Sequence, residues 1–158
     1  MNNGFVNVGI DHNPSEFAVE RIRQWRNNIG KKNYPNTKEL LICANGRGSN
    51  ASRSKLWKFY LQKFANKTGL KITVCHFPPG TSKWNKIEHK IFSFISMNWR
   101  GKPLINYEII INLIEGTKTK KGLKIKAKMD KKIYELGKKF SKKDMVKINI
   151  LTHKINSK

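Results

Sequence analysis

In the stretch HFPPGTSKWNKIEHKIF, His76 to Phe92, one carboxylate, Glu88, follows a proline turn and opens a helix in a chain that is otherwise strongly basic. Two readings fit that position. Asn85 and Glu88 stand three apart, the spacing of a capping box, and a negative charge in the first turn also suits the helix dipole. The other reading is a ligand site. In open α/β sheets ligands collect beyond the carboxyl ends of the strands, and the run LLICANGRGSN places Asn45 at such an end. The residue at that end is an amide, not an acid.

Those positions need a scaffold of strands and helices, and the chain supplies the signals for one. GFVNVGI, Gly4 to Ile10, alternates apolar with small or polar residues and reads as a strand. DHNPSEFAVERIRQWRNNIG reads as a helix, with Asn13 as N-cap, Pro14 at the first helical position and Glu16 completing a capping box. Phe17, Ile22 and Trp25 give it an apolar side, and Gly30 is expected to end it. Lys38 to Ala44 is a short apolar run of the kind a strand buried on both faces shows. SRSKLWKFYLQKFANKTG spaces Leu56, Trp57, Tyr60, Leu61 and Phe64 as a helix ending at Gly69, and Leu70 to Phe77 is a third strand. The order strand, helix, strand, helix, strand predicts parallel pairing and an α/β class.

After the Pro78-Pro79-Gly80 turn, a helix is expected from about Asn85 to Met97, with Ile87, Ile91, Phe94 and Ile95 on one side. NYEIIINLIEG reads as a further short helix and GLKIKAKM as a weak strand. From Lys118 onward the chain holds fifteen lysines against Asp130, Glu135 and Asp144. Its core-forming potential reads as poor, and solvated helices or a basic tail are both expected.

Composition narrows the function. The chain has 158 residues with 38% hydrophobic content, enough for one ordinary domain, and 33 Lys+Arg against 10 Asp+Glu give a formal net charge of +23. Such a charge attracts polyanions, DNA first among them. No apolar run approaches the ~20 residues that span a bilayer, and the start lacks a signal-peptide pattern. The expectation is a soluble, cytoplasmic protein that associates with the nucleoid if it is DNA-bound. Cys43 and Cys75 each sit in an apolar run and are expected to be buried thiols rather than a disulfide or zinc site.

The stretch from Leu40 to Leu104, and above all the block HFPPGTSKWNKIEH, resembles the DDE domain of bacterial insertion-sequence transposases of the Rhodopirellula type. The resemblance runs from about Gly4 to about Lys126. It implies an RNase H-like fold, here incomplete, with a mixed sheet and flanking helices over residues 1–117 and a lysine-rich extension over 118–158. It also implies cutting and joining of DNA at element ends and target, with magnesium as cofactor and oligomers possible. Two divalent ions about 4 Å apart clamp the attacking and leaving oxygens of a phosphoryl transfer, and hard carboxylate oxygens hold magnesium well.

Carried over position by position, Glu88 matches the third acid of the family and is the expected metal ligand. Asn45 stands where the family has its second aspartate, in a segment typically reading Ala-Asp-Gly-Gly-Gly-Ser-Asn, and Arg47 replaces one of those glycines. The first aspartate has no counterpart, since Asp11 aligns outside the triad and reads as a turn residue. Together with the divergent C-terminus, this implies a truncated, catalytically inactive remnant; the alternative is a non-catalytic basic DNA-binding protein. Around the two loops of the site, Arg47, Arg53, Lys55, Lys83 and Lys86 are candidates for phosphate contacts. His76 and His89 are candidates for supporting or DNA-contacting roles. Trp84 is open between base stacking and a plain turn role, and Trp99 is read as core.

Overall fold

The computed structural model describes residues 3–12, 14–78, 80–138 and 141–153. The expected cap Asn13 and the turn residue Pro79 therefore lie outside the described residues. The alternating run near the N-terminus forms β1, Asn3–Gly9. Its neighbour is β4, Lys124–Asp130, which runs parallel to it with Asn3 opposite Lys124 and Gly9 opposite Asp130.

Helix α1 spans Ser15–Trp25 and buries Ser15, Phe17, Ala18 and Val19. Pro14 occupies the cap position in extended conformation, one place earlier than expected. Gly30 does not end the helix. A π-type turn, Arg26–Gly30, leads into a short helical turn, α2, Lys31–Asn33, and Gly30 stays right-handed with φ −62°. The glycine serves close packing instead, because a Cβ there would lie 3.2 Å from the Trp25 ring.

β2, Glu39–Asn45, and β3, Lys71–Phe77, pair in parallel from Glu39 opposite Lys71 to Asn45 opposite Phe77. Between them runs α3, Lys55–Thr68, capped by Ser54, which accepts from the Trp57 N–H, and closed by Gly69 at φ 67°. Left-handed backbone at that position is what glycine supplies without a Cβ penalty. Ala18, Val19, Trp57, Leu61, Phe64 and Leu70 form the first core cluster, with Leu40, Ile42, Ile72 and Val74 packed on it from the strands.

Among the described residues, the core packs on one face of this pair. Leu41 is 62% exposed, and Cys43 and Cys75 are exposed free thiols. This corrects two expectations at once: β2 is not buried on both faces, and the thiols are not core. Apolar content alone does not say how many layers will cover a strand.

α4, Lys86–Trp99, and α5, Tyr107–Glu115, cover the other strand pair. The Asn106 side chain caps α5 by accepting from the Ile109 N–H. Ile95, Ile114, Leu123 and Ile125 form a second core cluster, with Ile91, Phe94 and Trp99 packed against it. Ile87, expected on the apolar side of α4, is 75% exposed because it belongs to the first turn, beyond the reach of that cluster.

The lysine-rich segment contributes more to the fold than its composition suggested. In β4 lysines at 124, 126 and 128 alternate with Ile125, Ala127 and Met129, so the strand keeps one apolar face despite its charge. Beyond it, Tyr134 is buried; its hydroxyl donates to Asp130 Oδ2 at 2.7 Å and its ring lies 5.2 Å from Phe17. The Tyr134 N–H donates to Asp11 Oδ2 at 3.0 Å. Lys132 and Lys138 reach Glu16 at 2.7 and 2.8 Å, and Tyr60 donates to the same carboxylate at 2.9 Å. Glu16 thus anchors the C-terminal segment to α1. A last short helix, α6, Lys142–Met145, carries a true capping box between Ser141 and Asp144. The architecture is α/β, but both strand pairs are parallel rather than parts of a mixed sheet. No described helix is long and apolar enough to cross a membrane.

Candidate functional site

β2 ends at Asn45, the chain turns through Gly46 and Arg47 into a 3-10 turn, Gly48–Asn50, and α4 begins nearby with Glu88 in its first turn. These elements enclose a polar cleft of about 290 Å³. Asn45 and Glu88, far apart in sequence, both line it, together with Arg47. The geometry therefore brings together the three positions that the sequence singled out most strongly.

The Asn45 amide oxygen is buried and has no hydrogen-bond partner. A buried acceptor left unpaired is costly, on the order of 1–3 kcal/mol, so this orphan marks a place built for a ligand or for a chemistry the amide no longer meets. Glu88 is exposed, and the Asn85 side-chain amide donates to its carboxylate. That contact joins two side chains. The capping box is not formed, because the Asn85 side chain accepts no backbone N–H.

Two further side chains line the cleft without a sequence signal for it. Arg21 of α1 lines it, with its guanidinium 4.3 Å from the Phe17 ring centroid and burial lowering its pKa. Asn85 lines it as well. Arg21 lies on the first helix at the i+4 position from Phe17, and nothing in its local sequence says that this helix face will meet the end of β2. Asn85 reads in the sequence only as a cap.

The other candidates lie outside the cleft wall. Arg53 and Lys55 are exposed at the start of α3, and Lys83 and Trp84 are exposed in the 3-10 turn Ser82–Trp84, with Trp84 at 55%. Lys86 and His89 are exposed on the first turn of α4. His76 donates through Nε2 to the Asn50 carbonyl at 2.9 Å, which ties the end of β3 to the cleft loop and gives this histidine a positioning contact. Asp11 holds the Tyr134 N–H, and hydrogen bonds from Tyr134 and His12 lower its pKa.

The donor set does not suit a pair of divalent ions. Among the described residues lining the cleft, Glu88 alone supplies acidic oxygens, and Arg21 and Arg47 add two cations. Among the described residues, no group of three or more His, Cys, Asp or Glu side chains converges to hold a metal. The arrangement is suited to contacting an anion beside an acid.

A family model described as the Rhodopirellula transposase DDE domain matches residues 1–158, the whole chain. No curated protein and no solved structure matches.

Proposed function

The chain belongs to the Rhodopirellula transposase DDE-domain family, and on that premise we propose that it binds DNA through phosphate contacts but does not cut or join it. Transposase-family membership makes DNA the substrate class. The observation that carries the finer reading is Asn45: an amide lines the cleft where the family has a carboxylate, and Glu88, Arg21 and Arg47 line the same cleft. An amide oxygen is neutral, so the site keeps one formal negative charge where two-metal phosphoryl transfer uses several. In this reading the cleft is the relic of an RNase H-like active centre, with Glu88 as its remaining acid.

The net charge of +23 supports DNA binding of low sequence preference. Arg47, Arg53, Lys55, Lys83 and Lys86, exposed around the cleft and the helix starts, are the proposed phosphate contacts, with Trp84 and His89 beside them. Filter binding of the full chain to duplex DNA tests the first half of the proposal. Retention falling steeply with salt is expected, and salt-independent retention would contradict it. A nicking assay tests the second half.

A further inference from the structure

Cys43 of β2 and Cys75 of β3 are direct partners in the parallel register. Both are free and exposed. Paired positions on neighbouring strands present their side chains to the same face, and here that is the uncovered face, on which Leu41 is 62% exposed. Side chains do meet across the strands on this face: at the paired positions Glu39 and Lys71, the ammonium lies 2.9 Å from the carboxylate. Neighbouring strands are about 4.7–4.9 Å apart, within the roughly 4.4–6.8 Å Cα separation that disulfides span. Cys43 also lines the polar cleft, two residues before Asn45.

We propose that Cys43 and Cys75 form a dithiol site for thiol–disulfide exchange, closing to an intrachain disulfide on reaction with a small organic disulfide. In the first step one cysteine thiolate attacks a sulfur of the small disulfide. The S–S bond of the reagent breaks, a mixed disulfide forms, and a thiolate leaves and takes a proton from water. The second cysteine thiolate then attacks the protein sulfur of the mixed disulfide and expels a second small thiol. The two cysteines lose two electrons and two protons, and the reagent gains them as two thiols. An exposed bond of this kind is readily reduced, so the closure is reversible and places a removable crosslink at the edge of the cleft.

The full chain, incubated with oxidised glutathione and acid-quenched, would be followed by intact mass and peptide mapping. The expected product is two hydrogens lighter, links the Cys43 and Cys75 peptides, and reverts with dithiothreitol. Cys43→Ser and Cys75→Ser should each stop at a single glutathione adduct. The folded chain should close at least about tenfold faster than the urea-unfolded chain, because the register holds the thiols together. Accumulation of two adducts without an internal bond, a covalent dimer, or equal rates in urea would each overturn the proposal.

Discussion

Replacing Tyr134 with Phe removes one hydroxyl from a segment whose composition reads as a solvated tail. Tyr134 is 3% exposed and Asp130 6%, and a 2.7 Å bond joins the Tyr134 hydroxyl to Asp130 Oδ2. Burial first, and then the bond to Asp130, raise the pKa of the phenol, so it stays a donor at any working pH. Without it Oδ2 of a buried carboxylate loses this donor, while the Lys132 N–H stays on Oδ1. Leaving such an acceptor unsatisfied costs about 1–3 kcal/mol. For a chain of this size each kcal/mol moves the melting midpoint by roughly 2–4 °C, so Tyr134→Phe should lower it by several degrees. Tyr134→Ala, which also removes the ring from Phe17, should cost about 3–5 kcal/mol, as large aromatic truncations do. Tyr34→Phe is the control, since Tyr34 is 50% exposed, and should stay within about 0.5 kcal/mol. Thermal melts followed by circular dichroism, with urea melts for the free-energy differences, provide the comparison. A Tyr134→Phe midpoint equal to that of the Tyr34→Phe control would refute the packing of residues 130–134 against β1 and α1.

At Glu16 burial pushes the carboxyl up, but hydrogen bonds from Lys132, Lys138 and Tyr60 outweigh it and hold the pKa at about 2, against an ordinary 4.5. A depressed folded-state pKa stabilises fully above the unfolded value and is lost as pH falls toward the folded one; stability should therefore drop between pH about 4.5 and about 2, and Glu16→Gln should flatten that drop in urea melts across pH. Ser54→Ala, which removes the α3 cap, should cost about 1 kcal/mol, whereas Trp57→Ala, at a side chain 2% exposed, should cost about 3–5 kcal/mol; equal losses in denaturant melts would contradict the core assignment. In DNA titrations Arg47→Ala should reduce the slope of log affinity against log salt by about 1, and an unchanged slope would remove Arg47 from the phosphate contacts.

Local signals placed much of the scaffold. The strands at β1, β2 and β3 and the helices α1, α3, α4 and α5 follow from periodicity, caps and glycines close to their ends. What sequence could not show is which layers meet. LLIC reads as doubly buried, yet only the α1 and α3 side of β2 is covered, and this is why Leu41, Cys43 and Cys75 face outward. β4 was weak to the eye because lysine occupies every outward position, and its worth depends on pairing with β1 more than a hundred residues away. At the site, the strand end marks Asn45 as a position facing a ligand, whereas the role given to Glu88 rests on the family resemblance, because its spacing from Asn85 reads first as a cap. Arg21 was not legible, because its place in the cleft is set by how α1 packs rather than by any spacing along the chain.

A cleft lined by Asn45 and Glu88 is expected not to support metal-dependent DNA cleavage. The direct measurement is a nicking assay of the full chain on element-end DNA with magnesium and with manganese, run beside Asn45→Asp and Glu88→Ala. No metal-dependent nicking by the chain is expected, and none from Asn45→Asp alone, because a second carboxylate still leaves the cleft one acid short of a triad. Nicking by the unaltered chain that disappears in Glu88→Ala would show an active centre and contradict the account.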